Sequence, residues 1–181
     1  MEYNFSKISI IFLLVIFIVY LCHYLLLFIK KMYFCGMKIR LTKEFNFEMS
    51  HALHNYDGLC KNIHGHSYRL FVTIKGEPIN DETNFKNGMV MDFGDLKAIV
   101  HSEIIDCFDH ALVLPYNSEM LAAIKTCNTK LVVLDYQPTC ENFLIDFVEK
   151  ISSHLPEGIE LVRLCLHETA NSYAEWFAED N

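Results

Sequence analysis

An α+β fold, with helices packed on one face of an antiparallel or mixed sheet, is predicted by three features of the sequence. Two alternations of apolar and polar residues follow each other closely, over 39–49 and 64–75. Two later stretches, 92–108 and 138–155, repeat their apolar residues at helical spacing. Short connections favour antiparallel neighbours, and amphipathic helices then cover one face of the sheet they form.

Residues 1–36 stand outside this pattern. Of these, 27 are hydrophobic, whereas the remaining 145 have the composition of an ordinary globular domain. The run Ile8–Ile29 is interrupted only by Ser9, Cys22 and His23. As a helix it reaches about 33 Å, enough for a bilayer core of about 30 Å. Lys30 and Lys31 would then hold the rest of the chain on the cytoplasmic side. The run is too long for a signal peptide and no small-x-small cleavage site follows it. The segment lacks Ala, Asp, Thr, Arg, Gln, Pro and Trp, which is also what a reading frame extended upstream of a start at Met37 would give. Both readings, membrane anchor and over-extended frame, leave 37–181 as the folded domain and place its chemistry in the cytoplasm.

Within that domain Ile39, Leu41, Lys43, Phe45, Phe47 and Met49 share one parity, and Arg40, Thr42, Glu44, Asn46 and Glu48 the other. A loop with Asn55, Asp57 and Gly58 leads to a second strand whose inner parity is His64, His66, Tyr68, Leu70, Val72 and Ile74. Asp92 is placed to cap a helix bearing Leu96, Ile99, Val100, Ile104, Cys107 and Phe108. A helix over 118–126 and a short strand over 130–135 are expected next. Pro138 suits the first turn of a further helix, whose apolar face is Leu144, Phe147, Val148, Ile151 and Leu155. Pro156 and Gly158 end it, and a last strand over 159–168 puts Val162, Leu164, Leu166 and Glu168 on one parity.

Charge and composition exclude several functions. The net charge is −8 overall and −10 after residue 36. A general nucleic-acid binder needs Lys and Arg to displace counterions from phosphates. Four Pro and seven Gly exclude collagen-like and disordered chains. Seven Cys without a CxxC pair do not make a secreted disulfide framework and fit a reducing compartment. A domain of this size builds its own core without disulfides.

The chemistry gathers around His64-Gly65-His66. Alternate strand residues point to one face about 6.6–7 Å apart, so two imidazoles can converge on one ion. His51 continues the inner parity of the first strand and supplies a third ligand, with His54 as its competitor at the strand end. Three His without a fourth protein ligand leave a position open for water or substrate, the catalytic zinc pattern. Cys60, beside Lys61 and four residues before His64, is then a usable base or nucleophile. Asp109-His110 offers a carboxylate next to a proton shuttle. Glu168, on an apolar parity, wants a partner such as the NH–C–NH edge of a heterocycle. Cys107, Cys127, Cys140 and Cys165 are expected to be core or helix residues, and His23, His101, His154 and His167 surface or satisfied histidines.

Together these residues resemble the 6-pyruvoyltetrahydropterin synthase and 6-carboxytetrahydropterin synthase family. The resemblance is carried by His51, Cys60-x3-His64-Gly65-His66, Gly88-Met89-Val90-Met91-Asp92-Phe93, Asp109-His110, Pro138-Thr139-Cys140-Glu141-Asn142 and His167-Glu168-Thr169, in order over about 39–170. It implies the tunnelling fold: a four-stranded antiparallel sheet with helices on one side, and subunits joined into barrels as a homo-oligomer, tetramer or hexamer. It implies Zn2+ on His51, His64 and His66, catalysis by Cys60, Asp109 and His110, and substrate binding by Glu168 and Thr139. The substrate it implies is 7,8-dihydroneopterin triphosphate. Three residues between Cys60 and His64 resemble the carboxy-forming branch of queuosine-type deazapurine synthesis, which yields 6-carboxytetrahydropterin, acetaldehyde and triphosphate. The alternatives are the pyruvoyl-forming branch and a pterin- or metal-binding module without turnover. The first 36 residues and the length of 115–137 depart from the family pattern.

Overall fold

The computed structural model describes residues 5–34, 36–127 and 129–181. The chain divides into two units, Met1–Met37 and Lys38–Asn181. The first holds helix α1 (Phe5–Phe34). Over Phe12–Ile29 its mean hydropathy is 2.8 and none of it is buried. By length and composition that stretch is able to cross a membrane.

The second unit runs β1 (Ile39–His51), β2 (His64–Gly76) and α2 (Phe93–Val100), which continues through a π-helical turn (His101–Ile105) into α3 (Asp106–Phe108). It goes on through β3 (Ala111–Pro115), α4 (Leu121–Ile124), β4 (Leu131–Leu134), α5 (Cys140–Ser152), β5 (Glu160–His167) and β6 (Tyr173–Phe177). The sheet has six strands in the order β4-β3-β1-β2-β5-β6, not the expected four. It is mixed: β1, β2, β5 and β6 pair antiparallel, while β3 runs parallel to β1 and β4 parallel to β3. The chain passes from β1 to its parallel neighbour β3 through β2 and then the α2–α3 segment, the long connection that a parallel pair requires. All five residues of β3 are buried, so it carries no alternation to read.

The inner face is built by Phe45, Phe47 and Met49 of β1, Tyr68, Leu70, Val72 and Ile74 of β2, and Leu164 and Leu166 of β5. Leu96, Val100, Ile104 and Phe108 close over it from α2–α3, and Phe143, Leu144, Phe147 and Ile151 from α5. Each such side chain contributes about 1.5–3 kcal/mol on leaving water. This one-sided cover is what the amphipathic patterns predict.

Five local expectations change. The π-helical turn inserts an extra residue into the helical phase, so Ile105 turns inward and Cys107 outward. Cys127 is exposed as well, whereas Cys140 and Cys165 are buried. The helix expected over 118–126 is a single turn, Leu121–Ile124, resting with Met120 on Ala52, Leu112 and Leu114. Pro138 lies before α5, which is capped by Thr139; its hydroxyl accepts from the Asn142 amide at 3.3 Å. In β5 a register shift between Thr73 and Ile74 of β2 brings Leu161 into the core in place of Val162. The Asp92 cap is as expected, its carboxylate accepting from the Gly94 amide at 2.6 Å.

Candidate metal centre and active site

The antiparallel register of β1 and β2 sets His51 opposite His64 and Met49 opposite His66. Alternation then carries all three imidazoles to the inner face, with ring centroids 4.6, 5.4 and 5.0 Å apart. One nitrogen from each lies within 4.8 Å of the others. Gly65, between the two β2 histidines, permits the close approach of the strands: a Cβ there would meet the Met49 carbonyl oxygen at 3.1 Å.

The hydrogen bonds decide which nitrogens are free. His51 Nδ1–H donates to the Pro138 carbonyl at 2.7 Å and His64 Nδ1–H to the Asn62 carbonyl at 2.8 Å. Carbonyls only accept, so Nε2 of both rings keeps its lone pair. His66 Nε2 is buried with no hydrogen-bond partner. Three converging imidazole nitrogens, two of them oriented through their other nitrogen, are the donor set of a metal site with ordered outer partners. Burial lowers the pKa of His51 and of His66 against the opposing pull of Glu168, which keeps both neutral and able to ligate. His54 is not among the three. Its backbone is clamped instead by the Gln137 amide, which accepts from His54 N at 3.0 Å and donates to His54 O at 2.8 Å.

Glu168, in the turn after β5, reaches this cluster: its Oε1 lies 3.5 Å from His51 Nε2 and 3.8 Å from His66 Nε2. It also accepts from the Tyr68 hydroxyl at 3.2 Å. Burial, reinforced by Glu168, raises the Tyr68 pKa far above the ordinary phenol range, so this donor stays protonated. Cys60 is half-buried in the turn Leu59–Lys61, and its carbonyl accepts from Leu53 N at 2.9 Å, which pins the turn to the end of β1. Thr139 sits beside Pro138, the residue that orients His51. Cys140 is a different kind of thiol: it donates to the Leu166 carbonyl at 3.2 Å, and burial pushes its pKa up to about 12.

Asp109 and His110 are not brought to the metal cluster of their own chain. His110 lines a cavity of about 350 Å³ with Glu48, Ser50, Gly65 and Ser67, of the parity opposite the three histidines, and with Met49, His66 and Ala111. The pair is built rigidly there. His110 Nδ1 lies 3.0 Å from Asp109 Oδ2, and the Glu48 backbone both donates to Asp109 Oδ1 (2.9 Å) and accepts from His110 N (2.6 Å). The Glu48 amide holds the Asp109 carboxyl below its ordinary pKa. Lys130 braces the corner through the Asp106 and Asp109 carbonyls at 2.8 Å each. His110 itself has φ +60°, a left-handed backbone that a bulky residue adopts only where surroundings impose it.

Sequence reasoning missed Tyr68 as a site residue. Its signal was available: a phenol two residues after His66, on the same parity of the same strand. Pro138 escaped because its contribution is a backbone carbonyl, which every residue owns.

This site sits in a chain that matches the 6-pyruvoyl tetrahydropterin synthase family over residues 40–179. It is 35% identical over 141 residues to a 6-carboxy-5,6,7,8-tetrahydropterin synthase of Haemophilus influenzae, covering 76% of this chain and 97% of that one. A protein of the same name from Rickettsia conorii is 30% identical over 141 residues, covering 76% and 99%. The solved 6-pyruvoyl tetrahydropterin synthase of Caenorhabditis elegans superposes with a TM-score of 0.56 at 25% identity, covering 78% and 96%. Fold, strand-borne histidine cluster and sequence thus agree, and the chain belongs to the 6-pyruvoyl tetrahydropterin synthase family.

Proposed function

We propose that this chain is a zinc-dependent 6-carboxytetrahydropterin synthase. It converts 7,8-dihydroneopterin triphosphate to 6-carboxy-5,6,7,8-tetrahydropterin, acetaldehyde and triphosphate, as a carbon–carbon lyase of queuosine-type deazapurine synthesis. The observation that carries the reading is the convergence of His51, His64 and His66, one nitrogen of each within 4.8 Å of the others, beside the Glu168 carboxylate. The names of the two bacterial relatives support the carboxy-forming branch.

His51, His64 and His66 would hold the zinc, which when bound supplies Lewis acidity to a substrate side-chain hydroxyl. Glu168, partly open to solvent, receives the NH–C–NH edge of the pterin, with Thr139 alongside. Cys60 removes a proton as base, and His110, oriented by Asp109, returns one during triphosphate loss and bond cleavage. Because Asp109 and His110 face away from the metal cluster of their own chain, the pair that serves one site belongs to a second copy. The working enzyme is therefore a homo-oligomer, tetramer or hexamer, with a cytoplasmic catalytic domain; α1 anchors it to a membrane where residues 8–29 are present.

The runner-up is the pyruvoyl-forming reaction, favoured by the name of the solved Caenorhabditis elegans relative. Incubating the purified chain with 7,8-dihydroneopterin triphosphate and weighing the products separates them. Acetaldehyde and the carboxy product support the proposal, and a pyruvoyl product replaces it with the runner-up. Bound but unchanged pterin overturns both.

A further inference from the structure

We propose that Tyr68 is a positioning residue whose hydroxyl holds Glu168 off the fourth position of the metal centre and keeps its carboxylate turned to the substrate. The inference rests on the metal-dependent reading above and goes further, because it explains how a three-histidine site stays open beside a carboxylate.

A tetrahedral centre with bonds of about 2.0–2.1 Å keeps its ligands about 3.3–3.4 Å from one another. Glu168 Oε1 lies 3.5 Å from His51 Nε2 and 3.8 Å from His66 Nε2. It therefore stands within about 0.5 Å of the separation a fourth ligand keeps from two of the three nitrogens. A carboxylate is an ordinary zinc ligand, and its arrival would close the site in the structural rather than the catalytic manner. The restraint is the phenol. Tyr68 is fully buried, stacked on Phe47 at 5.3 Å and set edge-on to Phe143 at 6.3 Å, so its hydroxyl has a fixed place. That hydroxyl has two acceptors, Glu168 Oε1 at 3.2 Å and His51 Nε2 at 3.4 Å. Once the His51 lone pair is committed to a cation, the phenol proton has Glu168 alone to serve. Phenylalanine would fill the same volume and remove this one restraint.

The test uses the full chain loaded with Zn2+ for affinity, by chelator competition, and with Co2+ for the visible spectrum. Tyr68→Phe is expected to bind the metal about tenfold more tightly or better, the scale on which neighbours of ligands act. Its Co2+ spectrum should no longer respond to substrate, and kcat should fall. In Tyr68→Phe with Glu168→Gln the affinity returns to the wild-type value. Tyr68→Phe with unchanged or weaker affinity overturns the inference, as does tightening that persists with Glu168→Gln. Glu168→Gln alone keeps the wild-type Co2+ spectrum; a spectrum showing a lost ligand overturns the inference without recourse to Tyr68. A wild-type chain that takes up no metal overturns the metal reading itself, a distinct failure.

Discussion

The inner and outer faces of the sheet hold histidines under opposite conditions. On the inner face His51 has 3% of its side chain exposed and His66 19%, and burial keeps both neutral with lone pairs turned to one point. On the outer face His110 is 77% exposed, on a strained backbone held by Glu48, Asp109 and Lys130. The first arrangement suits a ligand, which must not exchange its place with water. The second suits a group that carries protons between partners and must be reached from outside. On the proposed roles, the cluster on β1 and β2 would bind, and the corner before β3 would transfer protons.

Breaking the inner face has the largest expected effect. His64→Ala removes one of three ligands; metal content should drop below stoichiometric and turnover by about three orders of magnitude, the scale seen when electrostatic stabilisation is withdrawn. Metal analysis beside a rate measurement checks it, and full metal with full rate would remove His64 from the centre. Breaking the outer face is milder and separable. His110→Ala should lower kcat by about 10²–10⁴, the usual share of a general acid or base, while metal content stays whole. Loss of metal in that variant would erase the distinction between the faces.

Acid sharpens the comparison. The folded-state pKa values of His51 and His66 lie below the ordinary histidine value of about 6.5, so the unfolded chain binds more protons as pH falls through it. The stability contributed by these neutral imidazoles is full above that pH and declines below it. The urea midpoint of the metal-free protein should therefore fall between pH 7.5 and 5.5, and His51→Gln should flatten the fall. An unchanged slope in that variant would place the titration elsewhere.

What the sequence made legible follows the same division. The inner face was readable because β1 and β2 alternate cleanly, and a shared parity carries His51, His64 and His66 to one place without knowledge of the fold. Parity says nothing about an element that is buried throughout, so β3 went unseen, and with it the parallel half of the sheet. The five residues of β6 give too short an alternation to separate from a loop. Asp109-His110 was legible as a chemical pair but not as to face, because the left-handed turn at His110 cancels any reading by alternation. Tyr68 was counted among core residues, since a buried phenol differs from a buried Phe only through the hydroxyl partner that the fold supplies.

The most direct test is whether the two faces of different chains make one site. Cys60→Ala and His110→Ala chains, each inactive alone, can be co-expressed and the mixed oligomers assayed for conversion of 7,8-dihydroneopterin triphosphate. Random assembly leaves about a quarter of the sites with both groups intact, and turnover should recover to about that fraction of wild type. Mixed oligomers no more active than either parent would contradict the account, because Cys60 and His110 would then have to act within one chain.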